Sequence, residues 1–191
     1  CHPGIQALAR KNNLARNLAR ISKSFKDDFN FFPKTWVLPS DSNDFKAQFN
    51  KKKAKTFIVK PVNMCQGKGI YLTRRFEDVD LKSGEQFVAQ RYMHKPYLID
   101  DLKFDLRVYV ALTSINPLRL YIYEDGLARF ATQKYNLSKN GDLRQQKYVH
   151  LTNYSLNKNN ANFQNNTDAL DDGKGSKWSI NALRKRLKLM G

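Results

Sequence analysis

Apolar residues in this chain come in short blocks divided by polar, lysine-rich stretches, and the spacing inside each block assigns its element. Leu14, Leu18, Ile21 and Phe25 recur at helical intervals, so residues 1–26 are expected to hold a helix with one apolar stripe. Arg10, Arg16, Arg20 and Lys23 fall mostly off that stripe, as a solvated face or as a docking surface for an acidic partner. Residues 30–39 read as a short strand bracketed by Pro33 and Pro39, and 40–49 as the start of a helix with Ser42 or Asp44 as cap. Lys51, Lys52, Lys53 and Lys55 form a basic, exposed bridge. Phe57-Ile58-Val59 is a buried strand, and Ile70-Tyr71-Leu72 its hairpin partner. Pro61 argues against continuation as a central ladder strand. A loop or short helix is expected over 77–84, and a strand over 86–93 that stops before Pro96.

The clearest alternation lies at 103–112, KFDLRVYVAL. Phe104, Leu106, Val108 and Val110 should pack on a core, with Lys103, Asp105, Arg107 and Tyr109 on the opposite face. Residues 118–123 and 127–132 flank Glu124-Asp125-Gly126, and an Asp-Gly pair between alternating strands predicts a hairpin turn there. Arg129 would point away from the side that Phe130 buries. After a polar connector, 148–155 reads as another strand ending in hydrogen-bonding side chains. Residues 157–177 read as a long mobile loop. A last helix runs from Ser179 to about Met190, with Ile180, Leu183 and Leu187 on one side.

Charge changes the picture. The chain has 191 residues, 41% hydrophobic and 27% charged, a globular profile. Its 34 Lys and Arg against 17 Asp and Glu give +17, so it should meet something acidic: nucleic acid, an anionic membrane or an acidic protein tail. Aromatic residues that alternate into strand cores argue against a nucleic-acid stacking surface. Cys1 and Cys65 suggest neither a disulfide framework nor a zinc site, and fit a reducing compartment. No apolar run is long enough to span a bilayer and no signal peptide is visible, while the Cys at position 1 suggests an excerpt of a longer protein.

Candidate chemistry gathers at three places. Lys60 closes the first buried strand, and Gln66-Gly67-Lys68-Gly69 follows as a flexible basic tip that could fold over a polyphosphate. It lacks the Walker spacing, and no helix follows as a dinucleotide fingerprint requires. An ordinary glycine hairpin explains the same residues. Gln90-Arg91-Tyr92-Met93 leaves its strand as a hinge whose backbone could read adenine, or as a plain crossover. Lys103, Asp105 and Arg107 offer cations for phosphates and a carboxylate for ribose or metal, or a mixed solvated face.

Together these segments resemble a known family. KPxxxxxGxGI at Lys60 to Ile70, QxY at Gln90 to Tyr92, KFDLRVY at Lys103 to Tyr109, the DGLARFA segment and HLTNYS at His150 to Ser155 occur in the order seen in tubulin tyrosine ligase-like enzymes. LARNLAR and FPKTWVLP extend the resemblance over nearly the whole chain, and CQGKGI with NYSLNK resembles the polyglutamylase branch. The resemblance implies an α/β (α+β) ATP-grasp-like fold: residues 1–55 as the end of an N-terminal domain, 56–100 as the central lobe, and 101–191 as the start of an incomplete C-terminal lobe. It implies ATP and Mg²⁺, free glutamate, and tubulin or microtubules with their acidic tails as partners, without nucleic acid or membrane. The setting would be the cytoplasm and cytoskeleton, including the cilium or basal body. ATP would convert a glutamate carboxylate of tubulin into an acylphosphate, and the amine of free glutamate would displace phosphate to form an isopeptide bond.

Carried over by position, Lys60, Gln66 and Gly67 would hold ATP phosphates, and Gln90, Arg91, Tyr92 and Met93 the adenine. Lys103, Phe104 and Asp105 would lie near the nucleotide, with Thr152 and Asn153 at its phosphates. Arg129, Tyr154, Ser155 and Lys177 would hold the incoming glutamate, and Arg107 would act on the reacting phosphate. The family's metal carboxylates have no match here: Asp168, Asp171 and Asp172 lie in a low-complexity stretch without a strand. The isolated 191 residues are therefore expected not to ligate. A non-catalytic basic module, or a ligase using glycine or tyrosine, remains as an alternative.

Overall fold

A computed structural model describes residues 3–50, 55–81, 84–137, 142–166 and 172–191. Cys1, Lys51–Lys53, Asp168 and Asp171 lie outside the described residues. The chain divides into two compact units, residues 1–95 with 139–145, and 96–138 with 146–191.

In the first unit, helices α1 (Gln6–Ala9) and α2 (Lys11–Ser24) precede strand β1 (Thr35–Leu38), helix α3 (Ser42–Ala47), and strands β2 (Phe57–Pro61), β3 (Tyr71–Thr73) and β4 (Phe87–Arg91). The four strands form an antiparallel sheet in the order β1-β4-β2-β3. Its alternation fills two layers. Trp36, Leu38, Phe57, Val59, Phe87 and Ala89 point to one side and pack with Phe45 of α3 and Val79. Val37 and Val88 point to the other, against Ala15 of α2. That helix buries Ala15, while Ile21 and Phe25, expected on the buried stripe, are exposed because the helix reaches past the sheet contact. Position 41, rather than Ser42 or Asp44, stands at the α3 cap, and its carboxylate turns back to accept from Val37 N of β1 at 2.7 Å instead of bonding the helix. Asp44 lies in the first turn, where it accepts from Trp36 Nε1. Strand β2 is central in the sheet despite Pro61, because the proline is its final residue and Val62 N then bonds Gln86 O.

The second unit holds β5 (Leu98–Ile99), β6 (Leu102–Ile115), β7 (Leu118–Phe130), β8 (Lys177–Ser179), two single-turn helices α4 (Lys147–His150) and α5 (Tyr154–Asn157), and helix α6 (Ile180–Leu189). The strands pair antiparallel in chain order. Ile99, Ala128, Phe130, Trp178 and Leu183 make its core. Four expectations fail here. The Asp125-Gly126 pair is not a turn: β7 runs through it, and the chain reverses at Asn116-Pro117. Register slips from Val108↔Gly126 to Val110↔Ile122, which makes the segment a bulge. The apolar face of β6 meets the core at Leu102 and Phe104; Leu106, Val108 and Val110 are exposed where the strand outruns it. Residues 148–155 form no ladder strand: two helical turns flank an extended Leu151–Asn153, where Asn157 Nδ2 donates to Leu151 O and Asn153 O. Lys177, expected in a loop, lies in β8, and Asp172 binds Ser179 N at 2.7 Å, fixing the start of α6.

Candidate functional site

The candidate residues of the first unit are organised by β2 and β4. Lys60 pairs in register with Val88 and so lies on the α2 side of the sheet. Its Nζ donates to Gln90 Oε1 at 3.1 Å, and Gln90 Nε2 donates to Thr35 Oγ1 at 2.9 Å, a relay across three strands. Burial, and then the charge of Lys11, pull the Lys60 ammonium below its ordinary pKa. An ammonium kept partly dry but charged is poised for an anion. Beyond β2, Gln66, Gly67 and Gly69 adopt left-handed φ values of 60°, 83° and 67°. Gly69 also comes close to Pro61: a Cβ there would stand 2.8 Å from Pro61 Cγ. Arg91 ends β4, and Tyr92 and Met93 follow it, with Tyr92 buried and Met93 exposed. Together with Phe31, Pro33 and His94 they line a cavity of about 360 Å³.

In the second unit a row of charge crosses three strands. Asp105, Arg129 and Lys177 occupy paired positions on β6, β7 and β8, so their side chains share a face. Arg129 grips Asp105 with both ends of its guanidinium, Nε at 3.0 Å from Oδ1 and Nη2 against Oδ2. Lys177 Nζ lies 4.7 Å from the ring centroid of Tyr154. Lys103 and Arg107 flank Asp105 at two-residue steps on the same face of β6. Lys103 Nζ donates to His150 O at 2.8 Å, which ties the strand to the segment that carries Thr152 and Asn153. Phe104 points oppositely, onto Phe130, with ring centroids 5.5 Å apart. Thr152, Asn153 and Ser155 are half-buried around α5.

Asn157 escaped the sequence reading. It is buried, its Oδ1 accepts from Thr132 N and Oγ1 at 3.2 and 2.8 Å, and its Nδ2 donates to Leu151 O and Asn153 O at 2.8 and 3.0 Å. All four capacities of the amide are thereby used. It stands in an Asn-rich stretch whose composition says loop, and nothing local marks it as core. Among the described residues no group of three His, Cys, Asp or Glu could hold a metal ion.

The whole chain, residues 1–191, matches the family model described as Tubulin-tyrosine ligase family. It is 50% identical over 191 residues to a protein named "Probable beta-tubulin polyglutamylase" from Tetrahymena thermophila, covering 99% of this chain and 16% of that protein. It is 45% identical over 186 residues to "Tubulin polyglutamylase TTLL13" of Mus musculus, covering 97% and 22%. Against "Tubulin polyglutamylase TTLL6" of Homo sapiens the identity is 48% over 161 residues, covering 84% and 18%. The chain thus spans about a fifth of the length of these relatives. With the match extending from the first residue to the last, the chain belongs to the tubulin-tyrosine ligase family.

Proposed function

We propose that this chain supplies nucleotide- and amino-acid-binding residues to an ATP-dependent ligase that adds glutamate to side-chain carboxylates in the acidic tails of tubulin. The row Asp105–Arg129–Lys177 carries this reading. Free glutamate brings two carboxylates and an amine, and a face with several cations around one carboxylate matches that charge pattern. Asp105 holds the Arg129 fork in a fixed plane, so little ordering remains when a carboxylate binds. The Tyr154 ring supports the Lys177 ammonium from one side.

Lys60, backed by Gln90, and the glycine tip at 66–69 fit the phosphates of ATP, and the cavity at Arg91–Met93 is of a size for adenine. ATP, when bound, supplies the phosphoryl group that turns an unreactive carboxylate into an acylphosphate with a good leaving group. Lys103 and Arg107 would neutralise the charge that develops there. Mg²⁺ is expected with ATP, but the described residues offer no ligand cluster for it, and no step here depends on one. Tubulin as acceptor and glutamate as donor follow from the names of the relatives, and the surplus of cations suits an acidic acceptor.

Labelled-glutamate incorporation into tubulin by the complete protein tests the proposal. Arg129→Ala and Lys177→Ala should each raise the glutamate KM at least tenfold, an effect of ~1.4 kcal/mol or more. Lys60→Ala should abolish ATP-dependent incorporation. Transfer of glycine or tyrosine in place of glutamate would move the assignment to another branch. Unaltered incorporation in all three variants would leave only a basic binding module.

A further inference from the structure

We infer that Lys11 is a positioning residue for the glycine tip, clamping its entry and placing its hinge at Met64 and Cys65. The inference rests on the nucleotide reading given above only for its catalytic consequence.

Lys11 opens α2, and α2 is fixed to the sheet through Ala15, which packs on Val37 and Val88. Asn12 adds a bond from Nδ2 to Gln86 Oε1 at 3.2 Å. From this fixed base the Lys11 ammonium donates to three main-chain carbonyls: Pro61 O at 3.1 Å, Val62 O at 3.3 Å, and Met64 O. An ammonium has three protons, so these three carbonyls, all within residues 61–64, satisfy it fully. Bonds of this kind are charge-assisted and stronger than neutral ones. They begin where the sheet ladder ends, since Val62 N bonds Gln86 O and the chain then leaves β4. The entry to the tip is therefore held by a side chain of α2, past the end of the ladder.

Beyond Met64 the backbone bonds are short-range: Lys68 N to Cys65 O at 3.1 Å and Ile70 N to Gly67 O at 3.3 Å. Left-handed φ at Gln66, Gly67 and Gly69 marks the stretch that can rearrange. The return leg folds back on the clamped one, because Gly69 sits against Pro61 and Met64 so closely that a Cβ would meet Met64 Sδ at 3.1 Å. A tip that closes over phosphates must pivot on something that does not move. The Lys11-bound segment at 61–64 supplies that pivot. The same ammonium lies near enough to Lys60 to disfavour its charge, so both lysines shape one electropositive corner.

The test compares Lys11→Met and Lys11→Arg with wild type in the complete protein, using amide hydrogen exchange and steady-state kinetics. Met keeps the stem, so amides of Val88 and Ala89 should exchange as in wild type and report an intact sheet. Amides of 62–65 should exchange roughly tenfold faster in Lys11→Met, and the ATP KM should rise about tenfold with kcat within about threefold. Lys11→Arg should recover part of both. Wild-type exchange over 62–65 in Lys11→Met overturns the clamp. Lys60→Ala serves as the benchmark: if it leaves ATP binding unchanged, the nucleotide reading fails, and exchange over 62–65 alone still decides the clamp.

Discussion

The Lys60 ammonium bonds a neutral amide, Gln90, on a sheet face that also carries Val88, Val37 and Ala15. Folding lowers its pKa below the ordinary 10.5, through burial first and Lys11 second. The sign of the linkage follows. The protonated form is less favourable in the fold than in the unfolded chain, so this group costs stability at every pH below its folded pKa. The cost fades as pH rises through that folded value toward 10.5, where the unfolded chain binds more protons than the native one. Lys60→Met should therefore raise the melting temperature near neutral pH by roughly 3 °C, and the gain should shrink in alkaline buffer. The same variant should lose nucleotide binding. Calorimetry across pH checks the first outcome, and a variant less stable than wild type at pH 7 would show that the ammonium is better paired than its surroundings indicate. Asn157 makes the opposite case: a buried amide with every capacity met stabilises its surroundings and fixes the 151–153 segment.

At the scale of elements, the bulge in β7 explains why Gly126 is glycine. A Cβ at that position would stand 2.3 Å from Arg107 O and 2.8 Å from Ile180 Cδ1. Asp125 beside it accepts from Gly126 N at 2.8 Å and from Asn181 N at 3.2 Å, so the bulge also anchors the first turn of α6. Gly126→Ala should force β6 and β7 apart and cost about 2 kcal/mol or more, read as an earlier urea midpoint; an unchanged midpoint would mean that the bulge slides without penalty. This bulge also marks the limit of what the sequence could say. Asp-Gly is a turn signal from local conformational preference, and only the approach of Arg107 O and α6 shows that the glycine serves contact across strands. Strands β2, β4 and β6 and helices α2 and α6 were legible because periodic apolar spacing identifies the type of element, although on β6 and α2 it overstated how much of the face is buried. The 148–155 segment was not, since its apolar spacing suits a strand while its acceptors are satisfied by Lys103 and Asn157, residues distant or compositionally unremarkable. Of the candidate site, the residue types were legible and the partners were not: no spacing rule pairs Asp105 with Arg129 or sets Lys177 on Tyr154.

At the scale of the whole molecule, about a third of the acids are spent on ion pairs among the described residues. Asp44 meets Lys34, Asp78 meets Arg75 and Arg144, Asp100 meets Arg186, Asp101 meets Lys134, and Asp105 meets Arg129. Each of these carboxylates offsets one positive charge over a few ångströms, and the surplus of +17 remains for longer-range attraction. Such attraction is screened beyond ~8 Å at physiological ionic strength. An acidic peptide of tubulin-tail composition should therefore bind with an affinity that falls about tenfold or more between low and moderate salt, through loss of association rate. The same peptide with glutamine in place of glutamate should bind weakly at any salt. Lys60→Ala should leave this binding unchanged, because one partly buried cation contributes little to the outer field. Fluorescence anisotropy over a salt series separates the cases: a salt-independent affinity would assign tail recognition to shape and hydrogen bonding, and equal affinity for the glutamine peptide would remove charge as the basis of recognition altogether.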